Sequence, residues 1–469
     1  MKRVVFLTVL YVVTPFLFAQ KIELKAKVDE RCELISTVFR LAEAEEYLPK
    51  GYHFPVFVDS VVKYFEPHRN HELIEYCKMY RKKYGVGYDA PMSLAFHLQI
   101  VDGKISLTPN VKENSLENRW NRKSLPRFIE LLNDFYSTTN FHDFFQRQTI
   151  KEKVEKTANE YFQKIDMEWF KNFFGEVPEG NFNLVISLSN GGNNYGTSVI
   201  YLDNKEDIYS VIICGIDSFN NPVFEDHWAI NLIIHEFSHS FCNPLIMENY
   251  PKMKRKANEF FKLNAKTLRK QAYSNSQIML YEILVRASVI KYLSDHSQID
   301  PKKYFFREIK NGFIWIEELY NSFDKYEQNR EKYPTLRSFM PEIVNVQNGL
   351  DPQKIEKAQQ EKQQKFAPTM SIANIMNGDE NVDASITQII VKFDRPMLGS
   401  YGATSGKKGE KYYPEVLGAK WDEVTKTECI FEVKLEPNRE YSIVFHAQWF
   451  LSEDYVSPKN TIYLNFKTK

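Results

Sequence analysis

The sequence predicts an α+β fold: a helix-rich domain around a small sheet, followed by an all-β sandwich. Three observations carry this. Apolar residues recur at helical spacing between Val28 and Gly175 and again from Asp226 to about Val346. Two β-like runs with a turn-rich segment lie between these stretches. After Pro368 the apolar period switches to two and stays there to the C-terminus.

The elements follow in order. Leu34, Val38 and Leu41 share one helical face, as do Phe128, Leu131, Leu132 and Phe135. Aromatics cluster at Phe141, Phe144 and Phe145, and at Trp169, Phe170, Phe173 and Phe174, which predicts packing between helices. Phe182 to Leu188 reads as a strand, Ser189 to Gly196 as a turn-rich segment, and Tyr209 to Gly215 as a second β run. The Gln-, Lys- and Glu-rich stretch before Pro368 reads as a solvated helix or linker. Ile389-Val391-Phe393, Phe431-Val433-Leu435, Tyr441-Ile443-Phe445 and Ile462-Leu464-Phe466 then alternate with polar positions, separated by turn signals such as Asn377-Gly378-Asp379 and Pro437-Asn438. The expected boundaries are 1–19 for a signal peptide, 20–350 for the helix-rich domain, 351–368 for the polar linker and 369–469 for the sandwich.

Met1-Lys2-Arg3, the apolar run Val4 to Phe18 and Ala19-Gln20 form a secretory signal pattern, too short to span a bilayer comfortably. The sequence therefore predicts a secreted or periplasmic protein with no membrane span after signal cleavage. The chain holds 61 Lys+Arg against 61 Asp+Glu, a balance that argues against a nucleic-acid partner and against an acidic disordered chain. Gly (18) and Pro (20) are too few for a low-complexity or collagen-like chain of 469 residues. The five cysteines are scattered and contain no CxxC pair, so they read as small buried thiols rather than zinc ligands.

The chemistry concentrates between Asp226 and Pro244, in His235-Glu236-Phe237-Ser238-His239. On a helix, residues four apart share a face, so both imidazoles can bind one zinc ion. Glu236 sits beside that position and can take a proton from a zinc-bound water. Asp226 is a candidate N-cap, and Pro244 predicts that the helix stops near Asn243. Two histidines simply packed on a buried helix are the alternative. A catalytic zinc needs a third protein ligand. Ser274 with Gln277 reads as a capping box that opens a second helix, two turns into which stands Glu282 among Ile278, Met279, Val285 and Val289. A carboxylate in such company costs free energy unless paired or metal-bound. Arg286, one turn on, is the competing partner.

His235-Glu236-x-x-His239 followed by Glu282 resembles the gluzincin zinc metallopeptidases. The resemblance implies His235, His239 and Glu282 as zinc ligands, Glu236 as general base and a zincin-like fold for the helix-rich domain. Cys32-Glu33-Leu34, Phe144-Phe145, Asn190 to Gly196 and Glu282-x-x-Val285-Arg286-Ala287 also look like a family of secreted bacterial proteins known only as a domain of unknown function. That likeness spans most of residues 28–345 and brings no substrate. Ile389 to Met397 and Tyr463 to Thr468 resemble a bacterial immunoglobulin-like domain, which implies a spacer or a contact with a cell surface or glycan.

Tyr195 is a candidate oxyanion donor, with an aromatic plug in a glycine-rich turn as the other reading. Tyr273 and Tyr281 are alternative donors. Ser238 or Asn243 can hydrogen-bond a ligand imidazole. His227 and His142 read as capping, surface or structural residues. The expected function is a secreted zinc-dependent hydrolase of peptide or protein substrates. The alternative is an inactive zincin-like protein that binds through its immunoglobulin-like domain.

Overall fold

A computed structural model describes residues 24–48, 54–176, 180–224, 226–296 and 299–469. The expected signal peptide lies outside the described residues. The chain divides into two compact units. One runs to Phe173 and includes the segment that ends at Ile230. The other runs from Asn231 to Lys469 and takes in Phe174.

The first unit contains β1 (Ala26–Lys27), α1 (Glu30–Leu41), α2 (Pro55–Phe65), α3 (Glu72–Tyr84), α4 (Asp89–His97), β2 (Leu98–Val101), β3 (Lys104–Leu107), α5 (Leu125–Thr138), α6 (Phe141–Gln146), α7 (Ile150–Phe162) and most of α8 (Met167–Phe174). Then follow β4 (Phe182–Ser187), β5 (Tyr195–Ile200), β6 (Glu206–Ile213), β7 (Gly215–Ile216) and β8 (Pro222–Val223). Its main sheet has the order β1-β4-β6-β5. β1 and β6 both run parallel to β4, and β5 returns antiparallel to β6. The β2–β3 hairpin and β5 were not legible as strands, because neither alternates cleanly in hydrophobicity.

α1 was expected to be amphipathic. Instead every residue from Cys32 to Leu41 is buried, Glu33 and Arg40 included. Asp29 caps the first turn by accepting from the Arg31 amide, and Arg40 donates to the Ser189 carbonyl at 2.9 Å, while the Ser36 and Thr37 hydroxyls are buried without a hydrogen-bond partner. The aromatic clusters pack as expected, for example Phe65 against Phe141 and Phe144 with ring centroids at 5.3 and 4.8 Å.

α9 (Asp226–Lys270) carries the chain into the second unit, which continues with α10 (Ser276–Asp295), α11 (Pro301–Lys310), α12 (Ile316–Gln328), α13 (Leu336–Gly349) and α14 (Pro352–Phe366). The expected stop at Asn243 does not occur. α9 runs through Pro244 and Pro251 to Lys270. Each proline removes one intrahelical bond, but Leu245, Ile246, Met253, Ala257 and Phe260 are buried around them, and burial of that stripe outweighs the lost bonds. α10 begins one residue later than expected: Asn275, not Ser274, is its cap, accepting from the amides of Gln277 and Ile278. The polar stretch before Pro368 takes the helical option, with Pro352 and Gln359 buried and Lys362 paired to Glu317 at 2.7 Å.

The C-terminal region holds β9 (Met370–Ile372), β10 (Gln388–Phe393), β11 (Ala403–Ser405), β12 (Glu415–Trp421), β13 (Glu428–Lys434), β14 (Glu440–Phe445) and β15 (Ile462–Lys467). They form one sheet of order β12-β13-β10-β9 and a second of order β11-β14-β15, antiparallel throughout. The alternating residues read from the sequence, among them Ile389, Val391, Phe431, Ile443, Phe445 and Leu464, meet in one core between the two sheets. All five cysteines are free and buried, as expected.

Candidate metal centre

The middle of α9 is anchored by Ile233, Ile234, Phe237, Phe241 and Cys242, all buried. This leaves His235, Glu236 and His239 on a partly open face of the helix. The two imidazoles stand one turn apart, with ring centroids 4.9 Å from each other. Glu282 comes from α10, where Met279, Leu280, Ile283, Leu284 and Val285 hold its helix in the core.

The three side chains converge. His235 Nε2 and His239 Nε2 are 3.2 Å apart. Glu282 Oε2 lies 3.6 Å from His235 Nε2, and Glu282 Oε1 lies 3.5 Å from His239 Nε2. Among the described residues these form a group able to hold a metal ion. Burial, helped by the neighbouring His239, keeps the His235 pKa well below its usual range, which favours the neutral imidazole that a metal ligand must be. The Nδ1–H of His239 donates to Asn243 Oδ1 at 3.1 Å, which leaves its Nε2 as the ligating atom. Asn243 thus has the orienting role expected of it. Ser238 does not, because its hydroxyl bonds back to the Ile234 carbonyl at 2.7 Å.

Behind Glu282 lies a polar network. The Tyr273 hydroxyl donates to Glu282 Oε2 at 3.0 Å, and burial together with that carboxylate pushes the phenol up to about 12. Arg286 Nε is 3.4 Å from the same oxygen, while its terminal nitrogens donate to Glu308 Oε2 at 2.6 Å and to the Tyr273 hydroxyl at 2.9 Å. Arg307 holds the other Glu308 oxygen at 2.8 Å. Glu308 is 1 % exposed, and burial alone would raise its pKa; the Arg286 and Arg307 guanidiniums outweigh burial and hold it below the usual carboxylate range. Arg286 therefore serves Glu308 first and faces Glu282 second. The competing reading, a simple Glu282–Arg286 pair, is only part of what is present. Glu308 and Arg307 were missed in the sequence, although Glu308, set between Phe306 and Ile309, carries the same signal as Glu282.

Glu236 shares the helical turn between the two histidines. Burial, opposed in part by His239 and reinforced by Glu282, raises its carboxyl above the ordinary glutamate range. A carboxyl so placed can both accept and return a proton. Tyr195 opens β5 in the first unit; it is buried, and its hydroxyl has no hydrogen-bond partner. Tyr281 accepts from Gln277 Nε2 at 2.6 Å. His142 is structural as read, 3.0 Å from Glu30. The His227 side chain lies outside the described residues.

The family described as domain of unknown function (DUF4932) matches residues 24–346. The chain belongs to this family. The matched span holds every member of the His235, His239 and Glu282 group together with Glu236 and Glu308. No curated protein matches the chain. Among solved structures, the crystal structure of the S-layer protein rSbsC(31-844) aligns over 51 % of this chain and 33 % of its own at 12 % identity, with a TM-score of 0.16. The chain thus spans about a third of that structure, and the score is too low to bear on the fold. No helix among the described residues is long and apolar enough to cross a membrane.

Proposed function

We propose that this member of the family is an exported zinc-dependent hydrolase that cleaves peptide or protein substrates. In this reading the C-terminal sheets are an immunoglobulin-like attachment module. The observation that carries the proposal is the triangle of His235, His239 and Glu282. The two Nε2 atoms, 3.2 Å apart, stand close to the roughly 3.3–3.4 Å separation of ligand atoms held about 2.0–2.1 Å from a tetrahedral zinc ion, and each faces its own oxygen of the Glu282 carboxylate, at 3.6 and 3.5 Å. Two imidazoles and one carboxylate are also the donor set of a catalytic rather than a structural zinc site, with one position left for substrate or water.

Zinc bound there would supply Lewis acidity, polarising a carbonyl and lowering the pKa of a water. The protein's own groups do the rest. Glu236 accepts the proton that the attacking water loses as its oxygen bonds to the carbonyl carbon. It returns that proton to the nitrogen as the C–N bond breaks. Its raised pKa suits both steps. Asn243 fixes the His239 ring, and Tyr273 and Arg286 fix the Glu282 carboxylate. Tyr273 is the hydroxyl that stands against Glu282.

The test compares zinc-loaded wild type with Glu236→Gln on a peptide library. The variant should keep its zinc and lose turnover by about 100- to 10,000-fold. Hydrolysis at the wild-type rate would overturn the mechanism. A wild type that holds zinc yet cleaves nothing would favour the binding-protein alternative.

A further inference from the structure

A second site lies elsewhere in the second unit and does not rest on the metal reading. The last turns of α14, the C-terminal end of α11 and the loop from Tyr455 to Lys459 enclose an open cleft of about 320 Å³, at the small end of the ~300–1,000 Å³ range of ligand clefts. Gln360, Gln363, Gln364 and Ala367 line it from α14. Their spacing of i, i+3, i+4 and i+7 puts them on one helical face. A helix face at such a junction ordinarily carries an apolar stripe. This one carries three side-chain amides, and none of them makes a hydrogen bond to another described residue.

The charge is equally one-sided. Lys310 and Lys459 line the cleft, and no carboxylate does. Neither lysine has an ion-pair partner among the described residues. Lys310 is exposed overall, yet desolvation lowers the pKa of its ammonium and no carboxylate offsets the shift. The third feature is Tyr455. Its φ of 62° puts a bulky aromatic in the left-handed region, a strained choice that persists only where surrounding contacts enforce it. Its amide donates to the Ser452 carbonyl at 2.8 Å, and its ring lies 5.7 Å from the Arg307 guanidinium. Tyr455 thus lines the cleft beside the two lysines, with Arg307 over its ring.

We infer that this cleft binds an acidic saccharide, a chain of sugars bearing carboxylates. Each glutamine offers a donor and an acceptor, which suits the paired hydroxyls of a sugar ring. Lys310 and Lys459 meet the carboxylate, and Tyr455 supplies a flat face for the ring.

Titration calorimetry on the full chain tests the inference. The probes are a panel of oligouronides, neutral oligosaccharides of the same length, and acetate and phosphate as simple anions. At least one oligouronide should bind, and its neutral counterpart should bind about ten- to a hundredfold more weakly, as expected for loss of a hydrogen bond to a charged group. Lys310→Glu should weaken the oligouronide by a similar factor at unchanged melting temperature and metal content. Gln363→Ala should weaken neutral and acidic sugars alike. The inference is overturned if no oligouronide binds, if Lys310→Glu leaves binding unchanged, or if acetate or phosphate competes as well as the oligouronide.

Discussion

Two helices in this protein each bury a glutamate, and the company they keep differs. On α1, Glu33 is fully buried and accepts from the Ser187 hydroxyl at 3.1 Å, the Leu188 amide at 2.8 Å and the Ser189 hydroxyl at 2.5 Å. All three donors are neutral and lie at the end of β4 and in the two residues that follow it. On α10, Glu282 faces two imidazole nitrogens at 3.5 and 3.6 Å, with Tyr273 and Arg286 behind it. The first carboxyl has its donors supplied and ties a helix to a sheet. The second stands with two ring nitrogens in a group of lone pairs that the protein does not fill, which is the arrangement a cation completes. Burial alone therefore does not distinguish a structural acid from a ligand. What faces the carboxylate does.

The largest effect that would test this contrast is Glu308→Ala. It strands the Arg286 and Arg307 guanidiniums that Glu308 holds and should cost about 3–5 kcal/mol of stability. Chemical denaturation measures it; a loss below about 1 kcal/mol would mean that the network is not holding α10 and α11 together. Asn243→Ala comes next. Freeing the His239 ring should weaken metal binding by about 10- to 100-fold with little change in melting temperature, read by competition with a chromogenic chelator. Asn275→Ala removes the cap of α10 and should cost about 1 kcal/mol, visible in thermal melting.

The smallest effect lies on the other side of the comparison. Burial raises the Glu33 pKa, and the hydrogen bonds from Ser189, Leu188 and Ser187, with the Arg40 charge, offset this only in part. The unfolded chain loses this proton near pH ~4.3, whereas the folded chain keeps it to higher pH. Folding stability is thus favoured at low pH and falls as pH rises through the window between those two values. Glu33→Gln should abolish that decline while leaving the metal content at the wild-type value. Parallel melting curves for the two proteins across this window would contradict the assignment.

The elements that bear the site were legible because their signals are local. The His-Glu-x-x-His spacing names a face, and an acid among apolar residues names a buried partner. Both point to residues the structure brings together. The course of α9 was not legible. Pro244 is a stop signal in isolation, and only the burial of Leu245, Ile246 and Met253 carries the helix past it. The Glu308 network was missed for a different reason. Glu308 belongs to a helix 22 residues beyond Arg286, and nothing in the sequence says which buried acid a given arginine will meet. In the C-terminal region the period of two foretold the core residues of β10, β13, β14 and β15; β10, β13 and β15 alternate in burial, whereas β14 is buried on both faces from Tyr441 to Phe445. β5 lacks that alternation and went unread.

The most direct test of the central claim is the metal content of the protein purified without chelator, measured by elemental mass spectrometry. The account predicts one zinc per chain in the wild type and almost none in His235→Ala or Glu282→Ala, with folding intact by circular dichroism. A wild type that carries no stoichiometric metal even after zinc is added, or a His235→Ala variant that retains it, would contradict the account.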